Sequence, residues 1–414
     1  MNLLRLATRE LRANPLSALL AALLLAFGIA TLVVLLLFVR QIEGRFTRDA
    51  RGIDLVVGAK GSPMQLILSG IYHLDAPTGN IPLAEAERLA QSPMVGKAIP
   101  LGLGDSFKGF RIVGAPIDYI EHYEARLATG RLYVKPMEAV LGAEVARTAA
   151  LAPGGSFVGS HGIAEGGDAH GDKPYQIVGV LKPTGTPLDR LVLTPIESVW
   201  AVHEAHGEHE EGAEPVNDGD HKPGQAHQQG GEPAREVTVV LIQYASPLAA
   251  VQLPRLVNQS GVLQAASPAF EIARLMRLIG VGRDVMNAFA VLLIAASAAA
   301  LLVALLSTLR GRQYDIAVMR LLGASRAKIF AAMVIESLLL TTLGALGGLA
   351  LGHLLAEGLG LWLAAEGQPA ISGRQGLMEE LWLLPLAWLI GLVAALLPAI
   401  RAARTDVAGL LAKG

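Results

Sequence analysis

Gly311–Phe330 reads GRQYDIAVMRLLGASRAKIF and lies between two long apolar runs. In and beside it stand Arg310, Arg312, Arg320, Arg326 and Lys328 against a single acid, Asp315. A short, strongly basic link between two spans belongs on the cytoplasmic side, because Lys and Arg bias short loops inward. Ile316, Met319 and Leu322–Gly323 recur at helical spacing before a Gly-Ala-Ser break, so the link is expected to be an amphipathic helix. Such a helix between spans suits docking to a soluble partner.

The rest of the chain fits that reading. It is 52% hydrophobic and 17% charged, with the apolar residues gathered into blocks. Ala13–Val39, Val285–Leu309, Ser337–Ala356 and Leu381–Ile400 carry no charge, and each is long enough for the ~30 Å hydrocarbon core. The first follows Arg5, Arg9 and Arg12 like a secretion signal, but its apolar core is too long and lacks a small-residue cleavage site, so it reads as an uncleaved anchor. The expected order is a cytoplasmic N-terminal helix (1–14), span 1 (15–39), an outer domain (40–284), span 2 (285–309), the cytoplasmic link (310–328), span 3 (329–356), an outer loop (357–380), span 4 (381–400) and a cytoplasmic tail (401–414). The outer loop is rich in glutamate, as an external loop allows. Arg40, Arg45, Arg48 and Arg51 weigh little against this orientation, since long translocated domains largely escape the positive-inside bias.

The outer segment is large enough for a core of its own or for two small lobes. Asp54–Val57, Phe110–Val113, Gln176–Val180, Leu191–Thr194 and Glu236–Tyr244 read as strands. Leu83–Gln91, Glu138–Ala150 and Pro195–Val202 read as helices, the last with Thr194 as N-cap. The fold class is therefore membrane α-helical, four transmembrane helices with a large α+β periplasmic domain inserted between spans 1 and 2. There is no cysteine, which excludes disulfides and thiolate metal ligands.

Three stretches of the outer segment, GRLYVKPMEAVLGAEVARTAAL (Gly130–Leu151), YQIVGVLKPTGTPLDRLVLTPIESVW (Tyr175–Trp200) and VTVVLIQY (Val237–Tyr244), resemble the periplasmic core domain of MacB/LolC/FtsX-type ABC transporter permeases. RQYDIAVMRLLGASRAKIF resembles their coupling helix, and LLPAIRAARTDVAGLL (Leu396–Leu411) their C-terminal closing motif. The resemblance covers nearly the whole chain in the right order. It implies a homodimer or heterodimer of permeases in a bacterial inner membrane, bound to a dimer of cytoplasmic ABC ATPases that carry ATP and Mg. It also implies mechanotransmission: ATP-driven motion passed to the periplasm, where a further protein partner can act. Ile316, Met319, Arg320, Leu322 and Gly323 are the expected ATPase-coupling residues.

The ATPase must be another chain. No G-x-x-x-x-G-K-[ST] occurs, and Gly58-Ala-Lys60-Gly61-Ser62 lacks the spacing that lets amides cradle phosphate. No nucleophile–base or paired-carboxylate arrangement stands out, and nothing points to nucleic acid. A non-catalytic transmembrane subunit in contact with membrane lipids is expected.

Gly344, Gly348 and Gly352 lie four apart on one face of span 3, where small residues let helices approach closely. Packing within the subunit and packing across a dimer both remain open. Glu336, near the inner boundary, is expected to pair with Arg320, Arg326 or Lys328. Ser62 and Pro63 can start a short helix whose Leu66, Ile67, Leu68, Ile71 and Tyr72 suit a core or the membrane's outer face. His73 and Asp75 read as a turn.

Val202–Glu232 holds His203, His206, His209, His221 and His227 among Gly, Pro, Gln and acids. It reads as a polar insertion, 203–235, without a core of its own. Imidazoles and carboxylates at short spacing suit zinc, nickel or copper. His161 and His170, with Glu165 and Asp168, form a second tract that can converge with it. Two functions follow: extraction or efflux of a lipoprotein, lipid or peptide, or zinc homeostasis through the histidines. A third is FtsX-like control of a cell-wall hydrolase.

Overall fold

A computed structural model describes residues 15–161, 173–202, 235–311, 313–365 and 371–404. The expected N-terminal cytoplasmic helix (1–14) and the tail beyond 404 lie outside the described residues. The chain divides into a helical unit, made of residues up to Gly44 and from Arg277 on, and an outer unit, Arg45–Met276.

The first helix, α1, is Pro15–Asp49. The outer unit then runs β1 (Leu55–Ala59), α2 (Pro63–Gly70), β2 (Ile81–Pro82), α3 (Leu83–Ala90), β3 (Val95–Phe107), β4 (Phe110–Gly114), α4 (Ile117–His122), β5 (Leu127–Gly130), β6 (Glu138–Leu141) and α5 (Ala143–Ala149). It continues with β7 (Ser156–Phe157), β8 (Ser160–His161), β9 (Tyr175–Leu181), β10 (Leu191–Thr194), α6 (helical over 196–202), β11 (Glu236–Val237), β12 (Val239–Tyr244), α7 (Ala249–Gln259) and β13 (Leu263–Ala266). The helical unit is completed by α8 (Pro268–Gly311), α9 (Gln313–Leu321), α10 (Arg326–Ala365) and α11 (Leu383–Ala403).

Among the described residues eleven strands form one mixed sheet in the order β13–β1–β12–β3–β4–β10–β6–β9–β5, with β7 on β9 and β8 on β3, and β2 and β11 pair in a separate two-stranded sheet. β4–β10 and β6–β9 are parallel; the other pairs are antiparallel. Alternate residues of a strand face opposite sides, and that alternation sorts the core. Val56, Val239, Leu241, Val140, Leu191 and Leu193 join one apolar cluster with Leu66, Ile67 and Tyr119. Their neighbours Leu55, Val57, Val240 and Ile242 join a second, and Ala139, Leu141 and Val192 a third. Both faces are covered, which explains why the strands read as unbroken apolar runs. Each fully buried Val, Leu or Ile contributes about 1.5–3 kcal/mol.

Most of the expected strands and helices stand where the pattern put them. Ser62 caps α2, its hydroxyl accepting from Gln65 N at 3.4 Å, with Pro63 in the first turn. Leu66, Ile67 and Ile71 are buried, so this segment is core and not a free apolar surface. Glu138–Ala150 is not one helix: Glu138–Leu141 is a strand, buried on both faces, and only Ala143–Ala149 is helical. Gly142 makes the break, because a Cβ there would overlap the carbonyl oxygens of Leu188 and Asp189. The helix after β10 starts at 196, and Thr194 stays in the strand, donating its hydroxyl to Glu138 O at 2.8 Å instead of capping.

Among the described residues four helices are long and apolar enough to cross a membrane. They outrun the apolar blocks: α1 continues to Asp49 and α8 begins at Pro268. Apolarity marks only the part in hydrocarbon, whereas a helix of 44 residues is ~66 Å long. The loop expected over 357–380 also differs. Helix α10 continues to Ala365, and the described chain resumes at Ile371 to run back along the same helix. A Cβ at Gly360 would overlap Ile371 O, and one at Gly373 would overlap His353 O. The described acids of that segment, Glu357, Glu379 and Glu380, are engaged locally. Glu357 accepts from Gly373 N at 2.9 Å and pairs with Arg374 at 3.0 Å. Glu380 meets His353 Nε2 at 3.0 Å.

Candidate functional site

The basic link is helical as the sequence suggests, but its exposed face is different. Helix α9 stops at a left-handed glycine, Gly323 (φ +93°). Ala324 N donates to Met319 O at 3.0 Å and Gly323 N to Arg320 O at 3.1 Å, closing two of the four carbonyls that a helix end leaves open. Ser325 opens α10, its carbonyl accepting from Lys328 N at 3.1 Å. The Gly-Ala-Ser triplet is thus a stop followed directly by a start.

Of the expected coupling residues, Ile316 is only 7% exposed. It packs with Leu301, Leu305, Leu309, Ile329 and Met333 of its own chain, and Met319 lies against that cluster half-buried. A side chain so covered offers little to a partner. Arg320 is half-buried, while Leu322 and Gly323 are exposed. The apolar surface left open is Leu321 and Leu322, 63% and 83% exposed, beside exposed Arg326 and Lys328. Leu321 was not expected. Leu322 keeps its helical bond to Val318 O at 3.0 Å, but a residue six after Ile316 lies about 120° round the helix from it, so the stripe Ile316–Met319–Leu322 does not share one face.

The glycine ridge of α10 faces α1 of the same chain. A Cβ at Gly344 would lie 3.1 Å from Ala22 O, at Gly348 2.7 Å from Ala26 O, and at Gly352 2.7 Å from Val33 Cβ. Ala22, Ala26 and Ala30 repeat every four residues opposite glycines that do the same. Of the two packings left open by the sequence, this surface takes the one within the subunit. Leu25, Ile29 and Val33 are buried beside it. Glu336 is also buried, 4% exposed, on α10.

His203, His206, His209, His221, His227 and His170 lie outside the described residues. The backbone of His161 is in β8, across from Asp105 of β3. Among the described residues no three His, Asp or Glu side chains form a metal-binding group. What is described is the base of the histidine-rich insertion. The Trp200 indole donates to Glu236 O at 2.6 Å, and the Arg235 guanidinium lies 5.2 Å over the Trp200 ring, so the two ends are pinned together. Lys173 Nζ donates to Ala201 O at 2.6 Å, which sets the end of the second tract beside the start of the first. His73 and Asp75 do not form a ligand pair: His73 is half-buried with Nε2 2.9 Å from the Tyr119 hydroxyl, its pKa pushed down to about 3 by burial of the ring and the nearby Arg111.

Sequence comparison agrees with this architecture. Residues 18–253, more than half of the chain, match the family model of the MacB-like periplasmic core domain. Residues 287–407 match that of the FtsX-like permease C-terminal. Among solved structures, the periplasmic region of MacB from Actinobacillus actinomycetemcomitans aligns at 13% identity, covering 56% of this chain and 97% of that one, with a TM-score of 0.33. The extracellular domain of the noncanonic ABC-type transporter YknZ from Gram-positive bacteria aligns at 13% identity over 52% and 99%, with a TM-score of 0.30. No curated protein matches. The assignment rests on the two family models, which meet the chain in the order its outer unit and later spans require: this protein belongs to the MacB/FtsX-type ABC transporter permeases.

Proposed function

We propose that this permease works as a homodimer or heterodimer in a bacterial inner membrane and passes the work of a separate ATPase dimer to its periplasmic domain. The substrate class is an amphiphile: a lipoprotein, lipid or peptide. The observation that carries the reading is the exposed pair Leu321–Leu322, fixed between a glycine-terminated helix and the start of α10, with Arg326 and Lys328 beside it. Apolar side chains held rigidly among cations suit a groove with an acidic rim, and buried apolar anchors carry most of the energy of such contacts. Leu321→Glu with Leu322→Glu is expected to cut permease-stimulated ATP hydrolysis by about tenfold or more, while the permease inserts normally. Ile316→Glu is expected to lower the yield of inserted permease instead, because it places a charge in the bundle's own core. Unchanged stimulation in the double leucine variant would refute this docking surface.

A second reading, zinc handling, is favoured by the Lys173–Ala201 bond, which brings the bases of the two histidine tracts together. The isolated periplasmic domain is expected to bind more than one zinc ion at about micromolar strength, with affinity falling as pH drops through about 6.5, where imidazole takes up its proton. Deleting Ala205–Gln229 is expected to remove most of that binding and leave the fold, since Trp200, Arg235 and Glu236 close the base without those residues. Calorimetry on intact and deleted domains decides it; identical titrations would leave amphiphile transport alone.

A further inference from the structure

Any α-helix leaves its last four carbonyls without partners along its own axis. At the end of α1 and in the turn just after it, inside the outer unit, three side chains from elsewhere bond backbone carbonyls, those of Phe46 and Asp49 in the last turn of the helix and that of Arg51 beyond it. Tyr72 donates its hydroxyl to Phe46 O at 2.8 Å, Tyr123 to Asp49 O at 2.8 Å, and His122 Nε2 donates to Arg51 O at 3.0 Å. The grip is apolar as well as polar. The Phe46 ring meets Tyr72 edge-on at 4.6 Å, and Phe46 and Ala50 pack on the cluster that holds Ile53, Ile71 and Tyr119. Tyr123 is itself held edge-on by Tyr119 at 5.5 Å.

The chain then turns at once into the sheet. Gly52 takes a left-handed conformation (φ +75°), and a Cβ there would lie 2.9 Å from His122 Cε1, so the turn packs tightly on His122. Strand β1 follows and pairs with β13, Val56 opposite Ala266. From β13 the chain enters α8 at Pro268, and Ile272 of that helix packs on the same cluster as Phe46 and Ala50. Spans 1 and 2 are therefore continued by helices rooted on two neighbouring strands and one patch of core.

We propose that Tyr72, Tyr123 and His122 are positioning residues that grip the carbonyl end of α1, so that rotation or tilt of this helix is delivered to the β1–β13 pair and through it to the periplasmic domain. The proposal rests on the reading of the chain as a transmitter of ATP-driven motion. Without the three donors the helix end keeps its apolar packing but can turn under load, as a shaft turns in a loose socket.

The test uses the full permease co-purified with its ATPase, diluted with unlabelled permease. The chain has no cysteine, so spin-label pairs can be placed at Phe27 with Leu361 in the bundle, and at Lys108 with Leu361 to include the outer domain; all three are exposed. Distances are compared between nucleotide-free and ATP–vanadate states. With the native residues at 72, 122 and 123, both distances are expected to change. In Tyr72→Phe with Tyr123→Phe, the Lys108–Leu361 change is expected to fall below half, while the Phe27–Leu361 change and the nucleotide-free distances stay as before. His122→Ala is expected to act in the same direction, and His122→Gln, which keeps a donor, to restore the change. A purely structural role would alter the nucleotide-free distances without separating the two responses. An undiminished Lys108–Leu361 change in the double variant, or equal damage from His122→Gln and His122→Ala, overturns the proposal. If even the Phe27–Leu361 distance ignores nucleotide in the native background, the transmission reading itself fails, and the proposal with it.

Discussion

Gly348→Leu is expected to break the crossing of α1 and α10 within a single subunit. Even the first carbon of a side chain at that position would lie 2.7 Å from Ala26 O and 2.8 Å from Ile29 Cβ, neither of which can move without shifting the helix that carries it. Overpacking of this kind costs about 1–3 kcal/mol in a well-packed core, and more where two backbones must separate. Helix propensity acts in the other direction, since leucine is favoured over glycine by close to 1 kcal/mol in a helix interior. Gly358→Leu supplies the reference: it lies on the same helix, nothing approaches within 4 Å of its Cβ position, and it gains the same propensity. Unfolding in mixed detergent micelles should show Gly358→Leu as near neutral or stabilised, and Gly348→Leu with a marked loss of cooperative unfolding. Equal stability of the two variants would mean that the ridge is not a close crossing. The interactions between helices in a membrane come mainly from packing, because lipid tails compete for apolar surface, so a lost close approach is not replaced by hydrophobic burial elsewhere.

How much of this could be read from the residues depends on how local each cause is. The four spans were legible because hydrocarbon demands a long uncharged run, and Ala13–Val39 or Ser337–Ala356 admits no other soluble reading. The strands with β-branched runs, such as Leu191–Thr194 and Val239–Tyr244, were legible because the sheet is covered on both faces. Glu138–Leu141 was misread as helix because its strand character is imposed by neighbours: Val140 and Leu141 pair with β10 on one side and β9 on the other. The coupling face was half legible. The basic charge and the glycine stop are local, but whether Ile316 points outward depends on Leu301, Leu305 and Met333, which are distant in sequence or lie on another helix. The partner of the glycine ridge was undecidable from period alone, since a ridge that fits α1 also fits a second copy. The grip on α1 left no signal at all: Tyr72, His122 and Tyr123 have no shared spacing with Phe46, Asp49 and Arg51, and only the fold brings them together.

Gly360→Val is expected to release the segment from Ile371 on that lies along α10. This loop is held by contacts that fit only if its backbone touches the helix, because a Cβ at Gly360 overlaps Ile371 O. Gln41 of α1 makes two bonds to Ser372, donating to its carbonyl at 2.7 Å and accepting from its N–H at 2.8 Å. His353 of α10 reaches Gly373 O at 2.6 Å and Glu380 at 3.0 Å, Glu357 accepts from Gly373 N, and Arg40 pairs with Glu379. Each such bond is worth only about 0.5–1.5 kcal/mol net, yet all depend on one backbone position, so a branched side chain at Gly360 should loosen them together. The absence of cysteine gives a direct readout. A cysteine placed at Ile371, 7% exposed, should react slowly with a membrane-impermeant maleimide applied from the outer side. In the Gly360→Val background the rate should rise at least about tenfold, the equivalent of roughly 1.4 kcal/mol of lost closure. Gly376→Cys, with nothing near its Cβ position, should react quickly in both backgrounds and so reports access to that face. An unchanged rate at 371 would show that the loop is held by the remaining contacts without backbone touching the helix. Fast labelling at 376 from the inner side alone would reverse the orientation assigned to the whole bundle.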